Sequence, residues 1–94
     1  MKQVENLIKE IITGIVSDPT SVEVFLTDDK DDKGEITVFN VKVAKHDIGI
    51  CIGKKGETAE ALRKIVGVFG YQQTSKRVYV KIDAPKLHKN HFDY

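Results

Sequence analysis

Near the middle of the chain, Ile52-Gly53-Lys54-Lys55-Gly56 cuts an apolar, helix-prone stretch in two, and that interruption constrains the fold more than any other feature. Before it, His46-Asp47-Ile48-Gly49-Ile50-Cys51-Ile52 is too short for a full helix and too glycine-broken for a strand, so it reads as one or two helical turns. After it, Glu57 opens a longer helix with Ala59, Leu62, Ile65, Val66 and Phe69 on one face. Gly67 and Gly70 weaken its second half, which places its end between Val68 and Thr74. On either side lie strand-like segments, Glu35–Val43 and Arg77–Asp83. Strands joined by a helical crossover usually lie parallel in one sheet, with the crossover on one face.

The remaining elements complete that sheet. Val4, Leu7, Ile8, Ile11, Ile12 and Ile15 recur at spacings of three and four, which predicts a first helix over about residues 2–17 with one buried stripe. Pro19 stops it, because a proline disfavours helical geometry at the residue before. Ser21–Thr27 alternates Val22, Val24 and Leu26 against Glu23, Phe25 and Thr27, as a strand does. Asp28–Gly34 reads as a solvated turn leading into the second strand, which makes these two strands a hairpin. In that second strand Ile36 and Val38 oppose Phe39, Val41 and Val43 without clean alternation, which suits the middle of a sheet. The predicted class is α+β: one domain over residues 1–83, a three-stranded mixed sheet with helices on one face, and an aperiodic, flexible tail over residues 84–94.

Ninety-four residues leave room for a single core. With 40% hydrophobic and 31% charged residues, the composition is that of an ordinary soluble chain, which argues against disorder and against a membrane protein. One cysteine, Cys51, excludes an internal disulfide framework and a cysteine-based zinc site. Charges interrupt the N-terminal apolar run, so neither a signal peptide nor a membrane span is expected, and the location expected is the cytoplasm. The net charge of +1 hides a split: residues 1–41 hold four Lys/Arg against nine Asp/Glu, and residues 42–94 hold eleven against five. Partners respond to local fields, so the basic half is where a function is sought.

Within that half, the glycine loop carries the chemistry. Its two glycines let backbone approach a ligand closely and adopt positive φ. It leads into a helix N-terminus, whose free N–H groups favour an anion, and both residues between the glycines are lysines. A phosphate here would meet backbone donors, a helix terminus and two ammonium groups.

The stretch Ile48–Arg63, the leading helix and the terminal Lys76-Arg77-Val78-Tyr79-Val80 strand resemble the KH domain of the second topological type (α-β-β-α-α-β), and specifically the KhpA (YlqC) family of small single-domain bacterial proteins. The resemblance covers about residues 1–83. It implies single-stranded RNA binding, with Gly53, Lys54, Lys55 and Gly56 holding phosphates while bases lie on an aliphatic groove. Gly49, Ile50 and Ile52 would floor part of that groove, and Thr58 would stand beside the loop. The expected role is that of an RNA chaperone or post-transcriptional regulator. Ala59 stands where many KH domains carry a larger aliphatic residue, and Glu57 where the family often carries a basic one. Glu57 suits the helix dipole and opposes a phosphate. The family also pairs, which implies a homodimer, or a heterodimer with a Jag/KhpB-like KH protein, through Thr58, Ala61, Leu62 and Ile65. The alternative reading is a dimerising scaffold in cell-envelope or division regulation, for which RNA affinity is incidental.

Other features have plainer readings. Gly49 to Lys54 spells G-x-x-x-G-K, one residue short of a nucleotide-binding P-loop, with Lys55 where Ser or Thr is needed. Cys51 between two isoleucines is a packing residue, and His46 and Asp47 begin the short helix, with Asp47 favourable to its dipole. His88 and His91 lack a third ligand, and the Asp28–Asp32 run lacks calcium-loop spacing, so no metal is expected. Tyr79 is read as facing solvent on the sheet, and the six aliphatics of the first helix as core. No nucleophile–base pattern, carboxylate pair or cofactor motif is present, so the chain reads as a non-enzyme that needs no cofactor.

Overall fold

The computed structural model describes residues 1–83. The expected tail and the His88/His91 pair lie outside the described residues. The order is α1 (Lys2–Ile15), β1 (Glu23–Asp31), β2 (Gly34–Lys42), α2 (Ile48–Ile52), α3 (Glu57–Thr74) and β3 (Val78–Ile82), with single 3-10 turns at Pro19–Ser21, Lys45–Asp47 and Lys54–Gly56. The sheet order is β1-β2-β3, antiparallel on one side of β2 and parallel on the other, so the second strand is central and the class is α+β, as expected.

One face of the sheet carries Val24, Phe39, Val41, Val80 and Ile82, which pack with Val4, Ile8 and Ile12 of α1, Cys51 of α2, and Ala59, Leu62 and Val66 of α3. The missing alternation in β2 has a simple cause: Thr37, polar but only 7% exposed, occupies a core-facing position beside Phe39 and Val41. Ile36, Val38 and Asn40 therefore point to the open face. Helix α3 packs tightly on β3. A Cβ on Gly70 would lie 2.7 Å from Val78 Cγ2, so the glycine that weakens the helix locally is what lets the two elements meet.

Several boundaries differ from expectation. Helix α1 ends at Ile15, not residue 17, because Val16 turns extended (φ −87°, ψ 160°) and the N–H groups of Ser17 and Asp18 donate to the Asp47 carboxylate at 2.9 and 3.1 Å. The Ser17 hydroxyl adds a third donation at 2.8 Å. Asp47 thus spends its charge on the end of α1 and makes no side-chain cap for α2. The α1 stripe also splits: Val4, Ile8 and Ile12 are fully buried, whereas Leu7, Ile11 and Ile15 are half-buried.

The hairpin is the largest correction. Residues Asp28–Asp31 are not turn but strand, in register to the pair Asp31↔Gly34, and only Asp32 and Lys33 form the connection. Arg77 explains this. Its guanidinium donates to both Asp31 carboxylate oxygens and, at 3.1 Å each, to the carbonyls of Gly34 and Glu35. A fork with this reach fastens the hairpin root to the start of β3. The start of β1 also shifts from Ser21 to Glu23, because Pro19–Ser21 turns under hydroxyl bonds from Thr20 and Ser21 to the Asp18 carboxylate.

Candidate nucleic-acid interface

The loop after α2 is held by its own backbone. The N–H of Gly53 donates to the carbonyl of Gly49 at 2.8 Å, and the N–H of Gly56 to that of Gly53 at 3.0 Å. Gly53 has φ 81° and ψ 171°, a region open essentially to glycine alone. A Cβ there would also run into the Thr58 hydroxyl and lie 2.7 Å from the Thr58 backbone nitrogen. Gly56 is different: it is left-handed (φ 78°, ψ 13°), yet a Cβ would meet nothing within 4 Å. Between them Lys55 is itself left-handed (φ 56°, ψ 24°). A side-chain-bearing residue in that conformation costs roughly 1–2 kcal/mol, strain typical of a ligand-binding segment.

Lys54 and Lys55 are exposed and make no ion pair among the described residues. Glu57 is exposed too and bonds neither of them. No side chain caps the first turn of the 18-residue α3. The Glu57 N–H donates to the Lys54 carbonyl, and the next N–H groups of the first turn lie with the two exposed lysines at one corner suited to an anion. Of the other expected groove residues, Ile50 is 52% exposed, Gly49 and Ile52 are half-buried, and Ile52 packs against the core. Thr58 sits directly under Gly53.

Thr58 also belongs to a second feature. With Ala61, Leu62 and Ile65 it lines an apolar groove between α1 and α3, to which Ile11, Ile15 and Glu57 contribute. Leu62 forms the floor, and Ile65, which shares the apolar face of α3 with it, is 59% exposed at the rim. The sequence reading missed Ile11 and Ile15 here, although Leu7, Ile11 and Ile15 form a visible second row at i+4 spacing beside Val4, Ile8 and Ile12. A larger depression, lined by Asp28, Asp29, Glu35, Ser75 and Arg77 among others, lies beyond the far end of α3, about 27 Å from Gly56 by helix rise. Its lining balances three acidic residues, Asp28, Asp29 and Glu35, against three basic ones, Lys30, Lys76 and Arg77, and so offers a polyanion no net positive field.

Cys51 is fully buried, and desolvation, with the nearby Asp47 charge, pushes its thiol up to about 11. It is a packing residue. Among the described residues no group of three or more His, Cys, Asp or Glu is placed to hold a metal ion, and no helix is long and apolar enough to cross a membrane.

The mixed three-stranded sheet, the leading helix and a G-x-x-G loop between two helices define a KH domain of the second type. Comparison with known proteins gives the family. Residues 5–82 match the KH domain of KhpA/KhpB, and the chain belongs to that family. It is 36% identical over 81 residues to the RNA-binding protein KhpA of Bacillus subtilis, covering 86% of this chain and 94% of that one. It is 30% identical over 83 residues to the protein of the same name in Streptococcus pneumoniae, covering 88% and 98%. Among solved structures, Aquifex aeolicus Era bound to GDP and aluminium fluoride aligns with a TM-score of 0.64 at 18% identity, over 87% of this chain and 30% of Era. A complex of Era with a 16S ribosomal RNA segment aligns with a TM-score of 0.62 at 19% identity, over 84% of this chain and 28% of that one. At that identity the likeness to Era is one of fold.

Proposed function

We propose that this chain binds single-stranded RNA, with phosphates at Gly53-Lys54-Lys55-Gly56 and bases beside Gly49, Ile50 and Ile52. It acts as a binding protein and not an enzyme, in the cytoplasm, as an RNA chaperone or post-transcriptional regulator. The observation that carries this reading is the strained loop, Gly53, Lys55 and Gly56 all at positive φ, presenting two lysines without an ion-pair partner among the described residues, at the start of α3 that no side chain caps. Thr58 supports Gly53 from beneath. Fluorescence anisotropy with a labelled single-stranded RNA pool tests it. Contacts to two or three phosphates should give a log–log salt slope of roughly −1.4 to −2. The Lys54→Asp, Lys55→Asp double variant should stay folded by circular dichroism and lose binding; equal binding by both proteins would sink the clamp.

A second reading rests on the groove between α1 and α3. Thr58, Ala61, Leu62 and Ile65, joined by Ile11 and Ile15, form an apolar surface suited to another helix, in a homodimer or a heterodimer with a Jag/KhpB-like KH protein. If pairing rather than RNA is the main role, the chain is a scaffold in cell-envelope or division regulation. Ala61→Arg should then reduce the solution mass to that of a monomer while the lysine double variant leaves it unchanged. A monomeric mass for the natural protein across micromolar concentrations would count against pairing with itself.

A further inference from the structure

Arg63 stands on α3 two helical turns beyond Gly56, roughly 10 Å along the axis and on nearly the same face. Its Nε donates to the carbonyl of Val80 at 2.9 Å, and its Cζ lies 4.9 Å from the centroid of the Tyr79 ring. The Val80 carbonyl belongs to the free edge of the sheet. Bonds from the Thr37 N–H to the Arg77 carbonyl and from the Asp83 N–H to the Val41 carbonyl set the parallel ladder. The backbone groups of Val78, Val80 and Ile82 therefore point away from β2.

An edge carbonyl and an aromatic face together hold the guanidinium in one plane. Its Nη groups are left over: among the described residues neither makes a hydrogen bond or ion pair. Arg77 makes the contrast clear, since its Nη groups are spent on Asp31, Gly34 and Glu35. Arg63 is thus a half-buried, oriented fork with two parallel donors free, within reach of bases whose backbone is clamped at the loop.

We infer that Arg63, held flat by Tyr79 and Val80, is a specificity-determining residue that reads the edge of a base, an inference that rests on the RNA reading above. A guanidinium only donates, and two parallel donors match two adjacent acceptors. Cytosine offers O2 beside N3, and guanine O6 beside N7. Adenine places its amino group beside N1 and N7, and uracil separates its oxygens by an N–H, so both fit the fork poorly. The selected bases are cytosine or guanine over adenine and uracil.

The test uses labelled uridine-rich strands that differ only in a central block of cytosine, guanine, adenine or uracil. The natural protein should bind the cytosine or the guanine strand about tenfold more tightly than the adenine and uracil strands, and the two arms tell which acceptor pair is read. Arg63→Lys keeps the charge and loses the fork, so it should bring all four strands to within about twofold while salt dependence persists. Tyr79→Ala changes a 40% exposed side chain outside the core and should lower the preference without unfolding the domain. Equal affinity of the natural protein for all four strands, or a preference that survives Arg63→Lys, overturns the assignment and leaves the clamp standing. A Lys54→Asp, Lys55→Asp variant that binds like the natural protein overturns the clamp itself, and this inference with it.

Discussion

The loop at Gly53–Gly56 and the hairpin at Asp31–Gly34 are both exposed, both charged and both bent at a positive-φ glycine, yet they use these features in opposite ways. At the root of the hairpin the charge is consumed within the fold. Asp31 is locked to Arg77, and the acidic segment before it continues the ladder to its last pair. In the loop the lysines have no ion-pair partner among the described residues, and the backbone holds Lys55 left-handed between two positive-φ glycines to present them. Density of charge therefore says little about where a protein meets its ligand. What separates the two regions is whether the fold has already answered the charges.

The largest effect is expected at the two glycines of the loop. Gly53→Ala should cost about 3 kcal/mol, because it combines a glycine-only backbone with overlap against Thr58. Gly56→Ala, with open space around the added methyl, should cost only about 1 kcal/mol for its left-handed backbone. Urea denaturation reads both, and RNA affinity should fall further for Gly53→Ala than for Gly56→Ala. Equal destabilisation would mean that the Thr58 support is not what distinguishes them.

A smaller effect is expected at the hairpin root. Hydrogen bonds from Arg77, then from the Lys33 backbone, hold the Asp31 carboxyl down at about 2, below its ordinary 3.8. A carboxyl whose folded pKa is depressed contributes stability that is fully present above its unfolded value and is lost as pH falls through the folded one. The urea midpoint should therefore drop between about pH 4 and pH 2, and Asp31→Asn should remove part of that slope. Asp47, held low by the Ser17 N–H and then its hydroxyl and the Asp18 N–H, acts in the same direction, so some slope should persist in the variant. At pH 7 the salt dependence of RNA binding should be the same for Asp31→Asn and the natural protein. A change in that slope would show that the hairpin faces the RNA after all.

The smallest effect belongs to the tip. Asp32→Ala changes an exposed residue in the two-residue connection, with no hydrogen bond of its own among those described, and stability should stay within about 0.5 kcal/mol. A larger loss in thermal melting would mean that the tip itself organises the hairpin, and that Arg77 is not the main fastening.

The candidate loop could be read from sequence because its features are local. Positive φ at two glycines, lysines between them and a helix start afterwards all depend on neighbours within a few residues. Helix α1 shows where such reading stops. Its six aliphatics share one periodic stripe, but only packing against α3 and β1 decided that Val4, Ile8 and Ile12 enter the core while Ile11 and Ile15 wall a groove. Ile65, on the same apolar face of α3 as Leu62 and Val66, stands at the exposed rim for the same reason. Thr37 hid the alternation of β2 because a polar residue at a core position breaks the pattern that identifies a strand face.

By itself the sequence determined the order of elements, the parallel crossover from β2 to β3 and the place of the glycine loop. Each follows from backbone preference and short-range periodicity. Tertiary structure alone decided the long-range polar joins: Asp47 on Ser17 and Asp18, Arg77 on Asp31, and Arg63 on Val80 and Tyr79. These partners lie 16 to 46 residues apart. Nothing in the intervening chain selects them until hydrophobic packing has brought the strands and helices together.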